Sequence, residues 1–140
     1  MINKWLFTSY TDNRSTPDDF YKTIDNIYHF TLDPCASPDN AKCWKYFTID
    51  DDWLSKSWAN EVVFMNPPYW KTIKYWVQKA FNEWKNNWIV VVCLLPARTD
   101  TSRFHEYIYN IADIQFIKGR LKFWGSKNSA PFPSMLCVFK

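Results

Sequence analysis

The sequence predicts an α/β fold, a mostly parallel sheet completed by a C-terminal antiparallel hairpin. Three observations carry that reading. Short β-rich runs alternate with amphipathic stretches along the chain. The run WIVVVCLL at 88–95 is apolar on both faces, as the central strand of a parallel sheet must be. Two further strand-like runs, 114–124 and 135–140, flank a loop holding Gly125 and A-P-F-P-S, which suits a terminal hairpin.

The elements follow in order. Residues before about Ser15 read as irregular. Thr16-Pro17 reads as a helix start, with Thr16 as N-cap and Pro17 in the first helical position. Phe20, Ile24, Ile27 and Tyr28 then recur at helical spacing. A short strand is expected over 29–33, ending on Asp33. Ser37-Pro38 opens a second short helix by the same capping logic. A second strand is expected over 46–49, before the acidic run Asp50, Asp51, Asp52. Residues 61–65 form a third. Ile73, Trp76, Val77, Ala80, Phe81 and Trp84 give the clearest helical period in the chain. After the central strand, a polar-started helix over 100–110 carries Phe104, Ile108 and Ile111.

Composition narrows the function. The 140 residues read as a single domain, long enough to bury about two-thirds of the unfolded surface. Aromatics reach 20% with nine tryptophans, more than a core this small needs, so some are expected to face a ligand, a partner or a planar substrate. The four cysteines form no C-x-x-C pair and read as reduced thiols of an intracellular protein. No apolar run approaches the length of a membrane span. Only Gly119 and Gly125 are glycine, which excludes both glycine-rich phosphate loops. His29 and His105 have no metal-ligand spacing and no Ser-His-Asp logic around them, so neither a metal nor a hydrolytic site is expected. The net charge of +3 permits an anionic partner without demanding one.

Ligands of open parallel sheets bind at the carboxyl ends of the strands. Three expected strands end there in polar or turn-forming residues: Asp33-Pro34, Asn66-Pro67 and Pro96-Ala97. Asn66 heads N-P-P-Y. Its amide offers an acceptor oxygen and two donor hydrogens. Pro67 and Pro68 fix the backbone and leave their carbonyls outward and stiff. An exocyclic amine held between the Asn66 oxygen and a prolyl carbonyl finds two acceptors for its two hydrogens. That draws the nitrogen lone pair out of conjugation and toward an electrophile. Tyr69 offers a face on which a planar base can stack. The plainer alternative is a proline-rich turn with Tyr69 in the core.

The other tips carry weaker signals. In L-D-P-C-A-S, Asp33 could accept from an ammonium group while Pro34, Cys35 and Ala36 let a ligand approach the backbone. The same residues also make an ordinary capping turn. One of Asp50, Asp51 and Asp52 could take ribose hydroxyls, or all three could form a solvated turn. Arg98 in L-P-A-R-T-D-T could meet a phosphate, or simply be a surface arginine. Phe132, held between two prolines, either projects or plugs the edge of the core.

Taken together these segments resemble the phage-type DNA N6-adenine methyltransferases, the Dam-like family. The matching pieces run in order from Thr16: T-P, L-D-P-C-A-S, A-K-C, T-I-D-D-D-W, N-P-P-Y, W-V-Q-K-A, L-L-P-A-R-T-D-T, F-I-K-G-R-L-K-F and A-P-F-P-S. The resemblance implies a compact Rossmann-like fold that uses S-adenosylmethionine to methylate the N6 amine of adenine in DNA. It implies a phage or prophage protein working in the cytoplasm of the bacterial host. By position Asn66, Pro67, Pro68 and Tyr69 would be the catalytic corner. Asp33, Pro34, Cys35 and Ala36 would face the donor, with Thr16 and Pro17 nearby. Asp50, Asp51 or Asp52 would meet its ribose or adenine, and Asp52 matches the family pattern best. The loop around Phe132 would hold the target base. D-P-C-A-S stands where many DNA methyltransferases carry a glycine-bearing loop.

The nearest rivals are a methyltransferase acting on another amino group, an RNA base or a protein glutamine, and a non-catalytic nucleic-acid-binding module on the same fold. No segment is left over for a separate target-recognition domain. DNA contacts would then come from loops such as 98–103 and 125–134, with Arg98, Arg103, Lys122, Lys127 and Phe132. Low sequence specificity is the expected outcome. Methylation of oligonucleotides of varied sequence measures it, and a strict single recognition site would refute it.

Overall fold

The computed structural model describes residues 15–123 and 128–140. Six strands form one sheet: β1 Leu32–Asp33, β2 Lys45–Tyr46, β3 Val62–Met65, β4 Val90–Pro96, β5 Asp113–Phe116 and β6 Ser134–Phe139. Their order is β2-β1-β3-β4-β6-β5. The first four pair in parallel, and β6 runs antiparallel to both β4 and β5. The sheet is therefore mostly parallel with an antiparallel C-terminal pair, as expected. The pair is not a simple appendage, because β6 inserts between β4 and β5. The composition of β6 shows why: all six of its residues are buried, whereas β5 exposes three of four. The strand that is apolar but for Ser134 goes inside and the polar one takes the edge.

β4 is the backbone of the core. It is buried from Val91 to Pro96 and hydrogen-bonds to a strand on each side. Helix α1, Asp18–Tyr28, and helix α2, Ile73–Asn87, pack on the sheet. The apolar positions of α2 bury Ile73, Trp76, Val77 and Ala80, and Trp76 meets Trp53 edge-on at 5.1 Å between ring centroids. Glu83 on the same helix is a polar clasp. Its carboxylate accepts from the Trp58 backbone N–H at 3.1 Å, from Lys79 Nζ at 2.7 Å and from Asn87 Nδ2. The Lys79 ammonium also lies over the Trp58 ring.

Several expected elements are shorter or different. Strands expected over 29–33 and 46–49 shrink to two residues each, and Ile49 enters a 3₁₀ turn, Ile49–Asp51. The helix expected at Ser37-Pro38 is only a turn closed by the Ala41 N–H on the Ser37 carbonyl. The helix expected over 100–110 is a π-helical turn, Phe104–Ile108, that buries Phe104 and Ile108 and leaves Ile111 exposed. The strand expected over 114–124 ends at Phe116, because three of its four residues face solvent and nothing rewards a longer pairing. Residues 1–14, Gly125 and Lys127 lie outside the described residues. Thr16 is not the N-cap of α1. Pro17 holds that position with ψ 136° and no side-chain cap bond, which leaves the Thr16 hydroxyl for another partner.

Tryptophans divide sharply. Trp53, Trp58 and Trp76 are core residues, while Trp44 and Trp88 are fully exposed. Trp44 directly precedes β2 and Trp88 lies two residues before β4, both at the amino ends of parallel strands, opposite the carboxyl tips. They therefore lie away from the tips where the sequence reading places the chemistry.

Glu83→Ala strips an acceptor from one buried N–H and from the Lys79 ammonium together. It is expected to lower the unfolding free energy by about 2–4 kcal/mol, measured by urea denaturation.

Candidate active site at the carboxyl edge of the sheet

The parallel register sets the geometry. Leu32 of β1 pairs with Val63 of β3. Three residues further along each chain come Cys35 and Asn66, and the Asn66 backbone N–H reaches the Cys35 sulfur. The turns L-D-P-C-A-S and N-P-P-Y are thus brought together, as the strand tips required.

Asn66 is half-buried and not sunk in the interior. Its Nδ2 donates to Thr16 Oγ1 at 3.0 Å, and its Oδ1 accepts from the Tyr69 hydroxyl at 3.1 Å. Tyr69 is itself only 3% exposed. Its ring sits edge-on against Phe132 at 5.4 Å and Phe123 at 6.3 Å. The ring face expected to be open for a base is therefore covered in this structure, and Phe132 plugs the edge of the core. The apolar wall of Phe123 and Phe132 explains both positions, since each ring loses more water-exposed area against the others than it could alone.

Asp33 is 5% exposed. Burial lifts its carboxyl from the ordinary 3.8 to about 6, against the opposing pull of backbone N–H groups of Lys42 and Cys35 and of the Lys42 charge. The Lys42 N–H donates to its Oδ2 at 3.1 Å. Cys35 is held well above the usual thiol range, first by burial and then by the Asp33 charge. Pro34 and Ala36 are buried beside them. The turn is zipped to the next segment through Phe47, whose N–H donates to the Asp33 carbonyl and whose carbonyl accepts from Ala36.

The acidic run is sorted by its local bonds. Asp51 closes a capping box with Thr48, accepting the Thr48 backbone N–H at 2.8 Å. Asp52 is exposed and adopts a left-handed backbone, φ 50°. Asp51 is thus committed to its own turn, while the Asp52 carboxylate faces outward.

At the tip of β4 the Ala97 N–H donates to the Pro133 carbonyl, which ties the Arg98 loop to P-F-P. The Arg98 guanidinium lies over the Phe132 ring at 5.9 Å. Arg103 is half-buried, and its guanidinium is held below the usual range first by burial and then by the neighbouring Arg98 charge. Lys122 is exposed. Two arginines stand close together with Asp100 as their acidic neighbour. Among the described residues, no group of three or more His, Cys, Asp or Glu is placed to hold a metal. No described helix is long and apolar enough to cross a membrane.

The chain matches the family described as DNA N-6-adenine-methyltransferase (Dam) over residues 5–137. It belongs to that family. The DNA N-6-adenine-methyltransferase of Escherichia phage T1 is 32% identical over 109 residues, 76% of this chain and 45% of that protein. The DNA N-6-adenine-methyltransferase of Haemophilus phage HP1 is 27% identical over 117 residues, 79% of this chain and 67% of that protein. The chain therefore spans about half the length of the phage T1 relative.

Two features of this Dam-family site escape sequence reasoning. One is the reach of Thr16 to Asn66 across fifty residues of chain. The other is Asn40, whose Oδ1 accepts the Ser37 N–H at 2.7 Å while its Nδ2 donates to Ser15 Oγ at 3.2 Å. Asn40 thereby joins the D-P-C-A-S turn to the segment before α1. Neither link leaves a local spacing to read.

Asp33 gives a pH test. Its folded value is raised, so between about pH 4 and 6 the native state holds more protons than the unfolded chain. Its contribution therefore falls as pH rises through that window. Relative to Asp33→Asn, the wild type should lose up to about 3 kcal/mol of stability from pH 4 to pH 7. Urea unfolding of both proteins across that range measures it.

Proposed function

We propose that the protein transfers a methyl group from S-adenosylmethionine to the N6 amine of adenine in DNA, on a compact Rossmann-like methyltransferase fold. The observation that carries this reading is the Asn66 amide at the tip of β3. It stands beside the Pro67 and Pro68 carbonyls and is joined through its own backbone N–H to the Asp33–Cys35 turn. The names of the phage T1 and HP1 relatives support the substrate.

The donor-binding residues fit the donor in kind. S-adenosylmethionine bears an ammonium, a ribose and a sulfonium whose methyl is electrophilic. The buried Asp33 carboxyl would take the ammonium, whose charge offsets the cost that burial places on the carboxylate. Asp52 would take ribose hydroxyls, since Asp51 is occupied by its cap. Pro34, Cys35 and Ala36 would wall the site, with Pro17 nearby.

The chain's own residues then do the following. The base leaves the duplex stack to reach the tip. The Asn66 oxygen and the Pro67 carbonyl accept the two amine hydrogens, which turns the nitrogen lone pair toward the methyl. Pro68 keeps the corner stiff. For Tyr69 or Phe132 to offer an aromatic face to the base, their mutual edge-on packing must first open, and the Tyr69 hydroxyl must yield the Asn66 oxygen to the amine. No strong general base is needed, because the proton leaves after the methyl arrives. Positioning and electrostatics carry the rate. Arg98, Arg103 and Lys122 would hold phosphates, which fixes register without reading sequence. The working place would be the host cytoplasm.

Tritiated S-adenosylmethionine offered with separate pools of unmethylated DNA, RNA and protein tests the reading. Label is expected in DNA, on adenine N6. Asn66→Ala should lower kcat by about 100-fold or more, as loss of a preorganised acceptor does. Label confined to RNA or protein would overturn the assignment.

A further inference from the structure

Resting on the adenine-methylation reading, we propose that Thr16 is a positioning residue that fixes the Asn66 side-chain amide. For the amine to be held, the amide oxygen must face it. A rotated amide would present its own hydrogens to the hydrogens of the amine. The Asn66 backbone is already fixed by Pro67 and by the Cys35 sulfur. What remains to be set is the side-chain amide, whose two torsions keep some rotational freedom beside the Tyr69 bond to its oxygen.

Thr16 removes that freedom. Its hydroxyl accepts from Nδ2 at 3.0 Å, so the nitrogen is drawn toward Thr16 and the oxygen turns toward Tyr69. Thr16 is 2% exposed, so water does not compete for this bond. Thr16 is also held in place. Ser15 beside it accepts from Asn40, which is bonded to the D-P-C-A-S turn, and Pro17 on the other side takes the cap of α1. The hydroxyl that a sequence reading gives to the helix is thereby given to the catalytic corner.

The test compares Thr16→Val and Thr16→Ser with the wild type, using tritiated S-adenosylmethionine and unmethylated DNA, with donor affinity read separately by calorimetry. Thr16→Val keeps the shape and loses the acceptor. Its kcat should fall about 10- to 100-fold while donor affinity stays within about twofold. Thr16→Ser should rescue most of that loss. In an Asn66→Ala background, Thr16→Val should add little, because residues acting through one another are not additive. Should Thr16→Val fail to fold, as judged by its melting curve, Thr16→Ala carries the same expectation.

Weaker donor binding with unchanged kcat would make Thr16 a donor contact and overturn the proposal. So would a Thr16→Val enzyme as fast as the wild type, or a Thr16→Ser variant as slow as Thr16→Val. A wild type that transfers no methyl to DNA sinks the adenine reading itself and this proposal with it.

Discussion

The parallel pairing of Leu32 with Val63 is the constraint on which the rest depends. It ends two strands at one edge in the same phase, so that Cys35 and Asn66, equally far past that pair, meet. A slip of one residue would turn the β3 side chains to the opposite face and separate the turns. The register is specified by packing, because Leu32, Val63, Phe64 and Met65 are all buried and a slip would force side chains of different size to repack on both faces. The juxtaposition of the two turns is therefore a consequence of hydrophobic burial within the strands that lead to them.

That edge is also where the protein accepts unfavourable terms. A carboxyl sits buried at the end of β1, and two arginines crowd each other at the end of β4. Away from the tips several charged groups are paired locally. Glu83, Asn87 and Lys79 bond one another on α2, and Lys45 pairs with Glu61 beside the amino ends of the strands. Unfavourable charge placed at one edge, with compensation elsewhere, is the arrangement expected where a charged ligand supplies the missing partners.

Much of this was legible in the residues. Continuous apolar runs such as VVFM and VVVCLL fix β3 and β4, and the helical period of Trp76, Val77 and Ala80 fixes α2. Proline after Asn66 marks the tip. What could not be read was whatever depends on a partner distant in sequence. Thr16-Pro17 has a strong local capping signal, yet the Thr16 hydroxyl goes to Asn66. Phe132 between prolines has no local signal for pointing in or out. Its direction is settled by Tyr69 and Phe123, which supply the apolar wall. The short strands failed in the reading because β-rich composition continues past the point where a neighbour is available to pair.

The insertion of β6 between β4 and β5 affects how the chain can be made. β4 is finished at residue 96, but its second flank is supplied by residues 134–139. A ribosome adding about 5–20 residues per second leaves that flank open for several seconds. Through that interval the most apolar strand of the sheet has an unpaired edge, the kind of template on which strangers pair. The nascent protein is thus most exposed to misassembly just before β6 emerges, and a chaperone would find its work there.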